Sequence, residues 1–194
     1  MNVSRLLESV AMYISLTPDE TQRFVSFLKS RKMRKRHFLY QEGDTNTQLA
    51  FVVDGCLRSY SVDRNGFEHV LQFAPPGWWI GDMRSLLTQR PGTLYIDAID
   101  DSEILLILKS DLEQVYTTIP QFERYFRIIT EKALIAFQHR LIGNMSLSAK
   151  ERYESFCRLY PTLIQRLPQK QIAAYIGVTP EFLSKMLNQP AADK

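Results

Sequence analysis

A twenty-residue segment near the end of the chain, Gln169 to Asn188, constrains the fold more than any other part of the sequence. It contains two short helical patterns separated by Gly177, a residue type that readily adopts the positive φ of a tight turn. Ala173 supplies the small side chain that is needed where two helices cross. Thr179 followed by Pro180 is a typical helix start, because threonine caps the first amides and proline fits the first helical position. The segment therefore predicts a helix-turn-helix whose second helix begins at about Pro180.

The outward face of this second helix carries polar side chains suited to contacts with base edges and phosphates in a major groove. These DNA-binding candidates are Thr179, Pro180, Glu181, Ser184, Lys185 and Asn188. Three more candidates, Gln169, Lys170 and Gln171, open the first helix, where backbone amides commonly meet a phosphate. The expected partner is double-stranded DNA. The alternative is an ordinary helical hairpin, since alanine, glycine and apolar residues at these spacings also occur in helical bundles.

Composition is that of an ordinary globular chain: 194 residues, of which 45% are hydrophobic, are enough for a packed core. No stretch reaches the run of about 18 apolar residues that a membrane span needs, and the amino terminus lacks a recognisable signal sequence. We therefore expect a cytoplasmic protein with no membrane partner. Cys56 and Cys157 stand alone and far apart, so the sequence predicts neither a metal site nor a cofactor.

The positive charge is unevenly distributed along the chain. Residues 1–144 contain 17 lysines and arginines against 17 acidic residues, whereas residues 145–194 contain 7 against 4. This modest bias predicts a DNA affinity that depends on dimerisation and falls with salt. The densest basic run, Lys29 to Arg36, is interpreted as a solvated helix end leading into a strand, in preference to a second nucleic-acid contact.

The periodicity of the sequence changes along its length. Residues 1–36 are predicted to be helical, with Thr17-Pro18 as a helix start. From His37 to Lys109 short strand patterns alternate with turns, which predicts an antiparallel sheet region. Within it, Asp54-Gly55 and Asn65-Gly66 are predicted hairpin turns, because both dipeptides accept positive φ.

A long helix is predicted from Pro120 to Asn144, where apolar residues recur at spacings of three and four. The pattern suits a helix that pairs with its twin in a homodimer, or one that packs against its own sheet. Ser148 is the predicted N-cap of the next helix, which places a hinge just before it. We therefore expect one domain over residues 1–144 and a second over residues 145–194.

The order of these parts resembles the CRP/FNR superfamily of bacterial transcription regulators. Phe38 to Asp44 is similar to the glycine turn that opens the family's β-roll, and Phe51 to Arg58 is similar to the strand-glycine-strand that follows. Ile80-Gly81-Asp82 stands at the start of the family's phosphate-binding cassette, and Met83 to Ile96 matches that cassette in length. The resemblance implies an α+β fold. An N-terminal double-stranded antiparallel β-roll, jelly-roll-like and carrying a long dimerisation helix, would precede a small all-α helix-turn-helix DNA-binding domain.

The cassette departs from the family pattern at one position. In members that bind a cyclic nucleotide, an arginine pairs with the cyclic phosphate, and here Gly92 stands at that position, followed by Thr93. Without the guanidinium, a bound phosphate would lose a charge-assisted contact on the order of several kcal/mol. Cyclic AMP and cyclic GMP are therefore not the expected effectors. The alternative is that Arg84 or Arg90 substitutes for the missing arginine.

Other effectors are constrained by residue type. An iron–sulfur sensor needs several cysteine ligands near the amino terminus, and residues 1–55 contain none. A haem sensor would depend on His69 or His139. What remains is a small organic effector in an apolar pocket, with plain core packing as the alternative for the same residues. The pocket candidates are Phe73, Trp79, Gly81, Asp82, Met83, Arg84, Leu87, Thr93 and Tyr95.

These observations predict a dimeric, sequence-specific DNA-binding transcription regulator that reads a palindromic operator through two half-sites about one helical turn apart. The alternative function is a module for a cyclic nucleotide or another small ligand that acts mainly through protein contacts. No GxSxG, HExxH or P-loop is present, so an enzyme is not expected. RNA polymerase is a further partner if the protein activates transcription. The few residues after Asn188 predict that no β-hairpin wing follows the recognition helix.

Overall fold

The computed structural model describes residues 1–188 of the chain. Its internal contacts divide it into two compact units. The first contains Met1–Ser61 and Leu71–Ala133, and the second contains Val62–Val70 together with the chain from Leu134 onward. This division falls inside the predicted long helix, earlier than the boundary expected after Asn144.

The amino-terminal region begins with two short helices, α1 at Ser4–Ala11 and α2 at Pro18–Ser26. Thr17 caps α2: its hydroxyl accepts the N–H of Glu20, and the Glu20 carboxylate accepts the N–H of Thr17. The predicted helix start is thus confirmed. The prediction of helix up to residue 36 is wrong, because Lys29–Met33 forms an edge strand. Hydrogen bonds to a distant strand decide its structure, which local helix propensity cannot anticipate.

Eight strands in the described residues form two four-stranded antiparallel sheets. One sheet has the order β1-β8-β3-β6 and the other the order β2-β7-β4-β5. This is the double-sheeted roll that the resemblance implied. The strands are β1 Lys29–Met33, β2 Phe38–Tyr40, β3 Gln48–Asp54, β4 Leu57–Val62, β5 Glu68–Ala74, β6 Trp79–Ile80, β7 Tyr95–Ala98 and β8 Ser102–Leu108.

The two predicted hairpin turns have different outcomes. Asn65-Gly66 joins β4 to β5, neighbours in one sheet, and Gly66 has a φ of 82°. Asp54-Gly55 is not a hairpin, because β3 and β4 lie in different sheets. Gly55 has a φ of 84°, and a Cβ there would lie 2.5 Å from the carbonyl oxygen of Asp101. Glycine is therefore required at this position, where the chain passes from one sheet to the other, and not in a hairpin turn.

The central strand β3 explains where the core lies. Successive side chains of a strand point to opposite faces, and both faces of β3 are buried. One face packs against the helices, and the other packs against the second sheet. The helix-side cluster includes Leu49, Phe51, Leu105, Leu6, Phe24, Val115, Phe122 and Tyr125. The cluster between the sheets includes Ala50, Val52, Ile104, Leu39, Leu57, Ile96 and Ala98.

The remaining helices include the predicted long one, which is observed as α5 at Gln121–Ser146. Its first turns pack on the helix-side core, since Phe122 and Tyr125 are fully buried there. Packing against its own sheet therefore describes the amino-terminal part of this helix. None of the described helices is long and apolar enough to span a membrane. The others are α3 Met83–Thr88, α4 Lys109–Thr118, α6 Ala149–Leu159, α7 Gln169–Ile176 and α8 Pro180–Leu187.

The end of the chain follows the predicted start signals closely. Ser148 caps α6 in a reciprocal pair with Glu151: the Ser148 hydroxyl accepts the N–H of Glu151, and the carboxylate accepts the N–H of Ser148. Thr179 caps α8 by accepting the N–H of Phe182. The predicted absence of a wing concerns residues 189–194, which lie outside the described residues.

Candidate functional site

The helix-turn-helix is formed by α7 and α8. Gly177 ends α7 with a φ of 73°, and its N–H and that of Val178 both donate to the carbonyl of Ala173. Ala173 and Leu183 are fully buried between the helices and the residues beneath them. The small residue at the crossing and the glycine in the turn therefore have the roles that the sequence predicts.

The outer surface of α8 presents most of the predicted DNA-binding residues together. Thr179, Glu181, Lys185 and Asn188 are exposed, whereas Pro180 and Ser184 are half-buried. We call these six residues the recognition face. Their side chains include hydroxyl, carboxylate, ammonium and amide groups, which can donate to or accept from base edges and phosphates.

The start of α7 is the second part of this candidate surface. Gln169 and Lys170 are exposed, and Pro168 at the N-cap position makes no side-chain capping bond. The first amides of a helix favour an anionic partner. Gln171 is less suitable for contact with a phosphate, because it is half-buried. Its Oε1 atom is enclosed and has no hydrogen-bond partner in the described structure.

The cassette of the roll is built around the carboxylate of Asp82, which is 4% exposed. Its Oδ1 caps α3 by accepting the N–H of Ser85 at 3.0 Å, and its Oδ2 accepts the N–H of Thr93 at 3.2 Å. The Ser85 hydroxyl donates to the carbonyl of Arg90 at 2.6 Å and accepts the N–H of Asn46 at 2.8 Å. The polar groups of the cassette are therefore bonded to one another.

Gly92, which stands at the phosphate-binding arginine position, is buried within this network. Its N–H donates to the carbonyl of Asp44, and its own carbonyl accepts the N–H of Gly43. A Cβ at Gly92 would lie 2.7 Å from Oδ2 of Asp82 and 3.3 Å from the carbonyl of Asp44. The site is therefore too narrow for any side chain without movement of the cassette.

The two arginines that the sequence offers as substitutes do not enter this site. Arg84 and Arg90 are both exposed, and their described cassette contacts are made by backbone carbonyls that accept the hydroxyls of Thr88 and Ser85. Neither arginine places a buried guanidinium beside Asp82. The alternative that one of them replaces the missing arginine stays a prediction.

The apolar pocket candidates are distributed over separate places. Trp79 packs against Phe51 and Phe126 on the helix side of the roll, with ring centroids 5.2 and 5.3 Å away. Tyr95 stacks on Tyr60 of the second sheet. Phe73 is fully buried, whereas Met83 and Leu87 are 45% and 62% exposed. Trp79 packs against the helix-side core cluster, and a pocket shared by these candidates stays a prediction.

A buried ion pair in the roll was missed by the sequence reasoning. Arg58 on β4 lies opposite Asp97 on β7, and the guanidinium donates to both carboxylate oxygens, at 2.8 and 3.1 Å. The guanidinium also lies over the ring of Tyr60, 4.1 Å from its centroid. Arg58 is the one arginine among the buried polar residues of the described chain. Its charge is satisfied by Asp97, and nothing local in the sequence connects two strand residues so far apart.

Residues 30–118 match the family model of the cyclic nucleotide-binding domain. The chain is 24% identical to the probable transcriptional regulator flp of Lacticaseibacillus casei, over 91% of this chain and 83% of the relative. It is 23% identical to the transcriptional activator protein FnrA of Stutzerimonas stutzeri, over 94% of this chain and 79% of the relative. The chain is therefore similar to transcription regulators of the CRP/FNR superfamily.

The fold agrees with this similarity. The c-di-GMP responsive global regulator CLP of Xanthomonas campestris has a similar structure, with a TM-score of 0.74 and 16% identity. The similarity covers 88% of this chain and 90% of CLP. The two sheets, β1 to β8, lie almost entirely within the residues that match the model of the cyclic nucleotide-binding domain. Among residues 1–188, no group of three or more His, Cys, Asp or Glu side chains is arranged to hold a metal ion.

Proposed function

We propose that this chain is a cytoplasmic, homodimeric, sequence-specific DNA-binding transcription regulator of the CRP/FNR type. The observation that carries the proposal is the recognition face, which lies on the surface of α8 in a helix-turn-helix whose turn contains Gly177 and whose second helix is capped by Thr179. In this class of motif the second helix enters the major groove. Glu181, Ser184 and Asn188 are proposed to contact base edges, whereas Lys185 and the start of α7 are proposed to contact phosphates.

The proposed dimer rests on the second half of α5. From Leu134 onward this helix exposes large apolar side chains at the spacings of a coiled-coil seam. A contiguous exposed apolar stripe of this kind marks an interaction surface. The same stripe on α5 of a second copy of the chain would provide the apolar surface against which it packs. The stripe consists of Leu134, Ile135, Phe137, Leu141, Ile142 and Met145.

The roll is proposed to function without a cyclic mononucleotide effector. A cyclic phosphate needs a cationic or amide-rich cradle, but the Thr93 amide donates to Asp82 and Gly92 leaves no room for a guanidinium. A small organic effector bound elsewhere in the roll remains compatible with the proposal. Because CLP is described as responsive to c-di-GMP, this dinucleotide belongs in any panel of ligands to be tested.

A DNA-binding titration tests the proposal directly. Wild type, Lys185→Ala and the control Arg23→Ala, which removes an exposed charge on α2, are titrated against a randomised duplex pool over a range of salt concentrations. We expect the affinity of wild type to fall with salt, and Lys185→Ala to weaken binding and reduce the slope by about one phosphate contact. Equal behaviour of wild type and Lys185→Ala, or no binding by wild type, would contradict the proposal.

A further inference from the structure

The last carbonyls of α7 are held by two arginine side chains. The final carbonyls of any helix have no partner within the helix. Here the carbonyl of Tyr175 accepts a hydrogen bond from Arg140 at 2.7 Å, and the carbonyl of Ile176 accepts one from Arg152 at 2.8 Å. Both carbonyls immediately precede Gly177, so the two guanidinium groups hold the helix at the point where the turn begins.

Each arginine also holds a second element. Arg140, on the second half of α5, donates to the carbonyl of Val70 at 2.6 Å, in the hairpin segment Val62–Val70. Arg152, on α6, donates to the carbonyl of Leu147 at 2.8 Å, just after α5 ends. Within the second unit, Arg140 therefore joins α5, the hairpin segment and α7 through one side chain.

The surroundings of Arg140 favour a fixed position. Its guanidinium lies over the ring of Tyr175, 3.9 Å from the centroid, and Tyr175 is itself buried against Phe156 and Tyr160. A cation over an aromatic face and a cation at a helix C-terminus are both favourable arrangements. Burial lowers the pKa of Arg140, but an arginine remains charged at any pH at which the protein is folded.

We propose that Arg140 is a positioning residue for DNA recognition, an inference that rests on the proposed function. By holding the end of α7 to α5, it sets the direction in which α8 leaves the turn at Gly177. Because α5 is the proposed dimer helix, this direction sets the separation of the two recognition faces. A guanidinium can bridge two carbonyls and stack on a ring at once, whereas the ammonium of lysine is a compact point charge. Arg140→Lys therefore keeps the charge and removes the bridge.

The first experiment is independent of DNA. Hydrogen exchange is compared among wild type, Arg140→Gln, Arg140→Lys and the control Arg23→Gln, in which an exposed arginine of α2 is replaced. We expect faster exchange in residues 62–70 and 169–177 for both Arg140 variants and no change for the control. Arg140→Lys keeps the assay decisive if Arg140→Gln does not fold. Unchanged exchange in both segments would overturn the proposal.

The second experiment separates positioning from stability and from phosphate contact. The duplex that wild type selects from a randomised library is compared with duplexes whose half-sites are one base pair closer or farther apart. We expect wild type to prefer its selected spacing by about tenfold, which is roughly 1.4 kcal/mol, and Arg140→Lys to lose most of this preference. The salt dependence of binding should stay that of wild type, because the guanidinium contacts protein carbonyls and not phosphates.

Three results would overturn this second expectation in recognisable ways. An equal loss of affinity at every spacing would assign Arg140 a structural role alone. A salt dependence reduced by about one phosphate contact would make it a DNA ligand. If wild type selects no duplex, the proposed function fails and DNA positioning fails with it, while hydrogen exchange still decides whether Arg140 holds α7.

Discussion

The backbone N–H of Thr93 donates a hydrogen bond of 3.2 Å to the carboxylate of Asp82, and this contact closes the cassette of the roll on itself. The same carboxylate caps α3 through the N–H of Ser85. Here its hydrogen bonds serve the fold, and it is 4% exposed.

The closed cassette predicts that cyclic mononucleotides do not bind. In a calorimetric titration of the purified protein, cyclic AMP and cyclic GMP should give no saturable heat at micromolar concentrations. Gly92→Arg should not create a site, because the new Cβ would lie 2.7 Å from the carboxylate of Asp82. We expect this variant to be less stable than wild type by about 1–3 kcal/mol, as is usual for overpacking. Micromolar binding by wild type would show that the cassette opens to admit the nucleotide.

The buried pair of Arg58 and Asp97 predicts a large loss of stability when one partner is removed. Their side chains are 8% and 9% exposed, so Asp97→Asn removes a carboxylate that is paired with a buried guanidinium. We expect a loss of about 3 kcal/mol in chemical unfolding. Asp54→Asn, an exposed position at the end of β3, is the matched control and should change stability little. A small effect of Asp97→Asn would mean that water reaches Arg58.

The apolar stripe of α5 predicts that association depends on its side chains. Leu141→Glu places a charge in the middle of the proposed seam, and like charges would then face each other across the dimer. Sedimentation velocity should show a shift from dimer to monomer. Ala136→Glu introduces the same charge on an exposed position of roughly the opposite face and should remain dimeric. A monomeric wild type, or dissociation by both variants equally, would argue against this seam.

The capping pair at the start of α6 predicts a pH-dependent contribution to stability. Hydrogen bonds from the hydroxyl and N–H of Ser148 lower the pKa of Glu151 from its ordinary value of 4.5. A carboxyl whose pKa is lowered by folding stabilises the protein above its unfolded pKa, and this contribution is lost as the pH falls through the lowered value.

Glu151→Gln should therefore reduce the thermal midpoint at neutral pH, and the reduction should become smaller as the pH falls below 4.5 towards about 3. Ser148→Ala should cost about 1 kcal/mol at neutral pH, the usual value for a lost N-cap. Glu154→Gln removes an exposed carboxylate from the same helix outside the cap and serves as the control. If Glu151→Gln lowers the thermal midpoint equally at both pH values, the charge of Glu151 does not contribute to stability.

The fold and the site were predictable from the sequence where the signals are local. Gly177, Thr179 and Ser148 occupy the turn and capping positions that their chemistry indicates. Asp54-Gly55 shows the limit, since the dipeptide signals positive φ but does not specify which strand follows in which sheet. Arg140 shows the same limit. The sequence predicts that it lies on a helix, but the residues whose carbonyls it contacts lie 35 and 70 residues away in sequence. Such contacts depend on tertiary packing, which periodicity does not encode.

The most direct test of the central claim is selection of duplex DNA from a randomised library by the full-length protein, followed by sequencing. A dimer that reads DNA through two copies of α8 should enrich a two-fold symmetric sequence whose half-sites lie about one helical turn apart. The same selection with two variants identifies the contribution of the recognition face. Ser184→Ala should relax the preferred sequence, whereas Lys185→Ala should weaken binding to all sequences. Enrichment of no sequence, or of one without symmetry, would contradict the account.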